Sequence, residues 1–467
     1  MSEENKNRQQ LACHYIQDNY VAFQRLRFDC IAQKVQLREE ESSPQHLPDG
    51  QGDCPMRWRY ITNADINSMV CDCCAETGAN ISAKEILTVL NAGSRYIPRV
   101  HPLREYVLSL RPYTPDQPDW IDMVARQVRV KSKEDNINNL HGNQIAPQKA
   151  SFFGDPALPA APKENNSTPS CTTLHNTTPS AEALWRICFK KWFVAMVASW
   201  LKDEVVNHQV LVLIGRQGIF KTTWLEHLLP PHLRTYCCKL ANATQLSKDD
   251  RLRIAEFGLI NMDELDAMTP RELNAMKSVI TSTDVNERAA YGYTKERRVR
   301  LASFCASSNK REFLTDMTGN RRWLPFEVDS IQNPFHTTLP YDLMYAEALY
   351  LIDNDFNYWF DLEEIDTLEQ HNEVFRAQDS EEQLLPILFD IPAEGKGEFM
   401  TTAQISERIV SFGNIKKPMP VSQLGMLLGK AGYRAVSRRI NGIKARGWIV
   451  YQRDTNEIDS LKRLLKE

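Results

Sequence analysis

The run Gly215-Arg216-Gln217-Gly218-Ile219-Phe220-Lys221-Thr222-Thr223 has the residue types and spacing needed to hold a polyphosphate. Gly215 and Gly218 let the main chain turn tightly and aim N–H groups inward. Lys221 reaches terminal phosphate oxygens, and the Thr222 hydroxyl is a hard ligand for Mg²⁺. A helix opening directly after the loop would add unpaired N–H groups and the positive end of its dipole. Gln217, Phe220 and Thr223 complete the candidate nucleotide-binding stretch. Phe220 stands where the pattern G-x-x-x-x-G-K-[ST] wants glycine, and a ring is tolerable there only with negative φ and the side chain turned from the phosphate. Alone, the run also describes a glycine-rich turn before a helix, so a partner is required.

Asp263-Glu264, at the end of the apolar run Leu259-Ile260-Asn261-Met262, is that partner. Asp263 can hold Mg²⁺ directly or through water, and Glu264 can orient or deprotonate an attacking water. Without the loop, the same pair would be read as the cap of a following helix. A third segment ends in Ser307-Ser308-Asn309, where an amide can bridge a γ-phosphate and the lytic water. In Thr318-Gly319-Asn320-Arg321-Arg322-Trp323, a guanidinium of Arg321 or Arg322 can stabilise charge on a transferred phosphoryl group. A finger acting on a neighbour's nucleotide requires a ring or at least a dimer, with a heterologous interface.

These groups need a rigid frame. Val210-Leu211-Val212-Leu213-Ile214, Gly258 to Met262 and Leu301 to Ala306 are continuous apolar runs, as expected of fully buried strands. Helical patterns lie between them at 222–229 and 271–280, and a strong one runs from Ala181 to Glu204. The alternation predicts an α/β layer with a largely parallel sheet. The rest divides into a polar leader and helix (1–54), a small, mostly helical N-terminal domain (55–150), a Pro/Asn/Ser-rich linker (151–180), a phosphate-loop domain (181–345), a helical, partly acidic connector (346–399) and a basic C-terminal domain (400–467). The predicted helices of the N-terminal region include Leu11–Cys30, Trp58–Val70 and Ile81–Leu90. The N-terminal region shows no catalytic acidic triad that would make primers.

Two basic patches suit nucleic acid. Between Arg288 and Arg300, Tyr291, Tyr293 and five cations frame a glycine-centred turn, with Lys295 and Arg297 the leading contacts and Arg298 beside them. Aromatic rings there stack on bases while cations meet phosphates. The second lies in the C-terminal domain, where Arg434, Arg438, Arg439, Lys444 and Arg446 surround two expected strands about Asn441-Gly442. Helix, helix and basic hairpin together predict a winged-helix-like module gripping DNA through phosphates. An ordinary charged hairpin and a small docking domain are the respective alternatives.

Composition restricts the function further. The 56 Lys and Arg nearly balance 60 Asp and Glu, giving a net charge of −4, so nucleic-acid binding must come from local patches. The 11 Cys, an odd number, and a polar start predict a reduced, cytoplasmic protein with no membrane span. Cys71-Asp72-Cys73-Cys74 lacks paired C-x₂-C spacing and is read as a buried thiol cluster, not a metal site.

The order Gly215-x-Gln217-Gly218-x-x-Lys221-Thr222, Asp263-Glu264, Ser308-Asn309 and Thr318-Gly319-Asn320-Arg321-Arg322 resembles the virulence-associated protein E family, best across 181–330. These are primase-helicase-like P-loop ATPases of phages, plasmids and integrated elements, related to superfamily 3 helicases within the AAA+ group. The resemblance implies ATP and Mg²⁺ as cofactors and DNA as partner. It also implies a homo-oligomeric ring, with a hexamer among the open sizes, and a separate primase or other replication protein beside it. It implies too that ATP hydrolysis moves or remodels DNA during replication of a mobile element. A nucleotide-gated DNA-binding switch with slow hydrolysis, and a non-hydrolysing partner in a replication or defence complex, remain the alternatives.

Overall fold

The computed structural model describes residues 3–39, 58–92, 96–131, 179–240, 248–287, 296–314, 320–377, 379–392, 397–440 and 443–464. Most of the 151–180 stretch, with Tyr291, Tyr293 and Lys295, lies outside the described residues. Residues 1–313 with 317–375 form one compact unit, and 314–316 with 376–467 form another. The division therefore falls inside the stretch read as a connector.

The first unit begins with a four-stranded sheet. Its strands are β1 (Leu26–Asp29), β2 (Lys34–Arg38), β3 (Trp58–Tyr60) and β4 (Arg99–Val100), in the order β3-β2-β1-β4. Two of the expected helices are corrected: the helix Glu3–Ile16 stops well before Cys30, and Trp58 opens a strand rather than a helix, while the described residues from 58 to 131 remain mainly helical. Strands of two to five residues carry too few alternations to register as period two, and β3 and β4 join the β1–β2 hairpin from farther along the chain. The helices Asn63–Thr77 and Ala83–Leu90 do form, each opened by a capping box, Thr62 with Asp65 and Ser82 with Glu85. Arg59 pairs with Asp65 at 2.6 Å, and this ion pair holds the Asp65 carboxyl well below the usual carboxylate range. Cys73 is buried and Cys74 half-buried, but Cys71 is exposed, so the expected buried thiol cluster is only partly formed.

The central layer is a six-stranded sheet of β5 (Val128–Val130), β6 (Val210–Ile214), β7 (Cys237–Leu240), β8 (Leu259–Met262), β11 (Ser303–Ser308) and β12 (Trp323–Ile331). Its order is β5-β12-β6-β11-β8-β7, parallel throughout except for edge strand β5. β6, β8 and β11 fall where the apolar runs predict them. β12 is not among the apolar runs read as strands, and it contains Pro325, a residue that a central strand rarely tolerates. The Pro325 carbonyl accepts a hydrogen bond from His371 at 2.7 Å, on the side away from β6. The ring nitrogen faces that same side, so no ladder bond to β6 is lost. Between β8 and β11, β9 (Asp284–Glu287) and β10 (Glu296–Val299) make a separate antiparallel pair.

The helix Ala181–Leu201 is buried on nearly every side from Leu184 to Trp200, as expected of a helix that is apolar all round. Three indole N–H groups pin it to neighbouring backbone: Trp185 to Ala125 O at 2.9 Å, Trp192 to Phe304 O at 3.1 Å and Trp200 to Gly258 O at 3.2 Å. Gly258 leaves room for this packing, since a Cβ there would sit 2.4 Å from a Leu103 methyl, which would have to shift, and 3.1 Å from the Trp200 indole nitrogen. The one cation buried in the helix, Lys191, meets both carboxylate oxygens of Glu364 at 2.7 Å and the Trp359 carbonyl at 3.0 Å. Among the described residues no helix is long and apolar enough to cross a membrane.

In the second unit, β13 (Phe389–Asp390), β14 (Glu398–Thr401) and β15 (Arg434–Ile440) all pair with β16 (Ile443–Gln452). The helices Thr402–Gly413 and Val421–Lys430 precede the hairpin. Trp448 anchors the hairpin on the first of them through Thr402 Oγ1 at 3.0 Å. Gly447 lets β14 approach, because a Cβ there would lie 2.5 Å from Met400 O.

Lys191 and Glu364 are 4% and 2% exposed, so removing one leaves the other as an uncompensated buried charge. Lys191→Met is expected to lower unfolding free energy in urea by about 3–5 kcal/mol. Adding Glu364→Gln, which keeps an oxygen for the Asp361 N–H, should recover at least half of that loss. Equal stability of the single and double variants would disprove the pairing.

Candidate functional site

The carboxyl ends of β6, β8 and β11 come together at one edge of the sheet because the register fixes them there. Ile214 lies beside Ser308, and Met262 lies beside Ala306. Chain leaving β6 turns at Gly215, whose N–H donates to Ser308 O at 3.1 Å. A Cβ on Gly215 would lie 2.8 Å from the Val328 carbonyl, so this turn needs the absence of a side chain. Gly218 follows with φ +88°, a left-handed conformation natural to glycine. Arg216, Gln217 and Gly218 are exposed along the rim.

Lys221 is buried and curled into this loop. Its ammonium donates to Gly215 O at 2.7 Å, Arg216 O at 2.8 Å and Asn309 Oδ1 at 3.1 Å. Burial pushes its pKa down, and the charges of Asp263 and Asp266 oppose that. Thr222 Oγ1 donates to Asp263 Oδ1 at 2.8 Å and lies 3.2 Å from Ser307 Oγ, which itself donates to the same Asp263 oxygen at 2.6 Å. Burial pushes the Asp263 carboxyl up, yet the hydrogen bonds from Ser307 and Thr222 and the charge of Lys239 outweigh it and leave the pKa below its usual value. The loop, the acid and the amide singled out in sequence therefore share one site.

Glu264 sits beside Asp263 with an exposed side chain and φ +55°. Phe220 has φ +67°, which corrects the expectation of a negative value. Its ring meets Phe335 edge-on, with centroids 6.4 Å apart. Left-handed backbone costs a residue with a Cβ roughly 1–2 kcal/mol, and two such residues flank this site. Strained backbone held by its surroundings is a common mark of functional sites. The helix after Phe220 is also shorter than expected, Lys221–Glu226. Thr223 therefore serves it locally, with its carbonyl 2.7 Å from His227 Nδ1.

Three residues of the site were not singled out in sequence. Ser307 is the second hydroxyl on Asp263. Asp266 accepts from Asn309 N at 3.1 Å and Ser308 Oγ at 3.4 Å, positioning the segment that carries the amide. Asn261, fully buried in β8, donates to Thr222 O at 3.4 Å, and its Oδ1 has no hydrogen-bond partner among the described residues. The available signal was a polar side chain inside an apolar strand.

Arg321 and Arg322 are not brought to this site. Trp323, which follows them, pairs with Val210 at the start of β6, whereas the loop leaves the end of that strand. At about 3.3 Å per residue, a strand's length separates the arginines from their own chain's loop. The charge of Arg322 is instead felt by His208, just before β6.

The basic residues near β10 divide. Arg297 is 78% exposed and, among the described residues, pairs with Asp284 at 2.7 Å. Arg298, on the opposite face, is drawn to Glu256 at 2.9 Å, and Arg300 is buried, donating to Asn207 O at 2.8 Å and Ala302 O at 3.0 Å beneath the Phe304 ring. The expectation that Arg298 faces nucleic acid is corrected accordingly: its guanidinium ties the strand pair to the helix Lys248–Glu256. In the second unit Arg439 lies directly across from Lys444, with Arg446 on the same face. Arg434 and Arg438 occupy the other face, where Arg438 lies over the Phe399 ring at 5.4 Å.

Residues suited to Mg²⁺ are one carboxylate and one hydroxyl, Asp263 and Thr222. Among the described residues no group of three or more His, Cys, Asp or Glu is arranged to hold a metal. A sparse, all-oxygen set fits an ion that keeps most of its water and takes substrate phosphate oxygens, and does not fit a resident structural metal.

Residues 165–377, just under half of the chain, match the virulence-associated protein E-like domain. No curated protein matches the chain. Among solved structures, the apo C-terminal region (305–718) of NrS-1 is 10% identical, covers 92% of this chain and 97% of its own, and superposes with a TM-score of 0.43. An A-form apo structure of the NrS-1 C-terminal region is 10% identical over 92% of this chain and 98% of its own, with a TM-score of 0.41.

The conformation of Phe220 makes a direct prediction. Phe220→Ala loses the ring and keeps the strained backbone, whereas Phe220→Gly loses the ring and relieves it. The glycine variant should be the more stable by about 1 kcal/mol in denaturant unfolding. The reverse order would rule out the left-handed geometry.

Proposed function

We propose that this chain is an ATP-dependent DNA helicase or translocase of a mobile genetic element, hydrolysing MgATP where two subunits meet. The observation that carries this reading is the meeting of Lys221, Thr222, Asp263 and Asn309 at the carboxyl edge of a parallel sheet, through contacts of 2.8–3.1 Å. Ligands of open α/β sheets bind outside that edge. Similarity to the virulence-associated protein E-like domain supports the same class.

In this mechanism the Lys221 ammonium exchanges the Gly215 and Arg216 carbonyls for phosphate oxygens. Asn309, already bonded to Lys221, meets the terminal phosphate and the lytic water. Thr222 and Asp263 hold the Mg²⁺, which supplies charge neutralisation on the phosphates. Glu264, exposed at the rim, takes the proton from the attacking water. Arg321 or Arg322 completes a neighbour's site, because neither reaches its own. That requirement supports a cyclic homo-oligomer. Arg297 can trade its exposed Asp284 pair for a DNA phosphate at little cost, since such surface pairs contribute about 0–1 kcal/mol. Arg439, Lys444 and Arg446 offer a second phosphate-binding face.

The strain at Phe220 favours one further reading, a nucleotide-gated DNA-binding switch that hydrolyses slowly. Directional unwinding of a forked duplex separates the two.

Lys221→Ala should abolish ATP turnover stimulated by single-stranded DNA, and Glu264→Gln should retain ATP binding while losing at least a hundredfold in rate. Parent-level hydrolysis by either variant would remove its assigned role. Replacing Arg439, Lys444 and Arg446 together by Ala should weaken DNA binding and flatten its dependence on salt by about three phosphate contacts. An unchanged slope would take the hairpin out of the DNA-binding surface.

A further inference from the structure

Beside the phosphate loop stands an aromatic group that the mechanism above does not use. Phe335 is 69% exposed. It belongs to the loop after β12, the strand whose Glu327 pairs with Ile214, so this loop departs from the same edge of the sheet as Gly215. Asn333 orders the turn: its Oδ1 accepts from Phe335 N at 3.0 Å and its carbonyl from His336 N and Thr337 N at 3.1 Å. Gln332 N is tied to Gln127 O at 2.9 Å. A large apolar ring is thus held out toward solvent by a well-bonded segment.

Behind it stand two further rings. Phe220 approaches edge-on at 6.4 Å and His227 at 5.6 Å, with interplanar angles of 78° and 82°. Edge-to-face contact of this kind fixes the orientation of the Phe335 ring and leaves a face free. His227 is held by Thr223 O at 2.7 Å, and burial pushes its pKa below the ordinary imidazole value, so the cluster is uncharged at neutral pH. Phe220 directly precedes Lys221, so the platform and the phosphate-gripping ammonium are joined by one peptide bond. A bulky residue thus stands at a position whose backbone suits glycine, with its ring edge-on to Phe335.

Resting on the nucleotide reading above, we infer that Phe335, buttressed by Phe220 and His227, is the platform on which the base of a purine nucleoside triphosphate stacks. Such stacking depends on the π-face and tolerates different bases, and a purine offers the larger face. The polyphosphate is held by the loop and the base by the ring, two separable contributions to affinity.

The test measures equilibrium binding of ATP and of inorganic tripolyphosphate, each with Mg²⁺, to the full chain and to Phe335→Ala and Phe335→Trp. Because Phe335 is exposed, both variants should melt at the parent temperature. Phe335→Ala should weaken ATP about tenfold and leave tripolyphosphate unchanged. Phe335→Trp should restore ATP affinity, with indole fluorescence quenched by ATP and not by tripolyphosphate. If Phe335→Ala binds ATP as the parent does, or weakens both ligands equally, the platform assignment is wrong although the phosphate loop stands. If the parent binds neither ligand, the nucleotide reading itself fails and the platform with it.

Discussion

One carboxylate oxygen, Oδ1 of Asp263, joins three segments that are far apart in sequence. It receives Thr222 from the segment after β6 and Ser307 from β11, while Asp263 itself directly follows β8. Two hydroxyls can converge on one oxygen only if the three strands stop at the same level. The parallel register achieves this by setting Ile214 beside Ser308 and Met262 beside Ala306. Slipping any of these strands by one residue would turn its side chains to the other face of the sheet and break up the arrangement. The three indole bonds from the helix Ala181–Leu201 guard against that slip from behind, since two of them end on Phe304 and Gly258, in or next to β11 and β8.

Much of this frame was legible in the amino-acid order. The buried strands announced themselves as unbroken apolar runs, and the loop by glycines before a Lys-Thr pair. β12 lies outside the runs read as strands, and Pro325 is tolerated within it when its imino nitrogen faces away from β6, on the side where His371 meets its carbonyl, which local sequence does not reveal. The N-terminal sheet was hidden because its strands are short and one of its pairings joins residues 71 apart, Phe28 beside Arg99. Ser307 and Asp266 escaped notice since a lone hydroxyl or acid in sequence carries no sign of what it will face.

Cations show the same limit. Arg297, Arg298 and Arg300 are near neighbours and look interchangeable in composition, yet they are respectively exposed, tied to an acid and buried among carbonyl oxygens. Alternation along β10 places Arg297 and Arg298 on opposite faces, and the return of the chain into the core removes Arg300 from the surface. A basic run therefore overstates the charge offered to a polyanion. The C-terminal hairpin divides in the same way, three cations to one face and two to the other.

The cross-strand meeting of Arg439 and Lys444 has an energetic consequence of its own. Like charges facing each other across a ladder oppose the pairing that brings them together. Raising ionic strength relaxes this repulsion, the reverse of what it does to an attractive surface pair. The hairpin is accordingly least comfortable in dilute electrolyte and gains cohesion when a counter-charge condenses along its face. A strand pair of that kind acts as a small electrostatic spring, compressed by folding and slackened by whatever neutralises it.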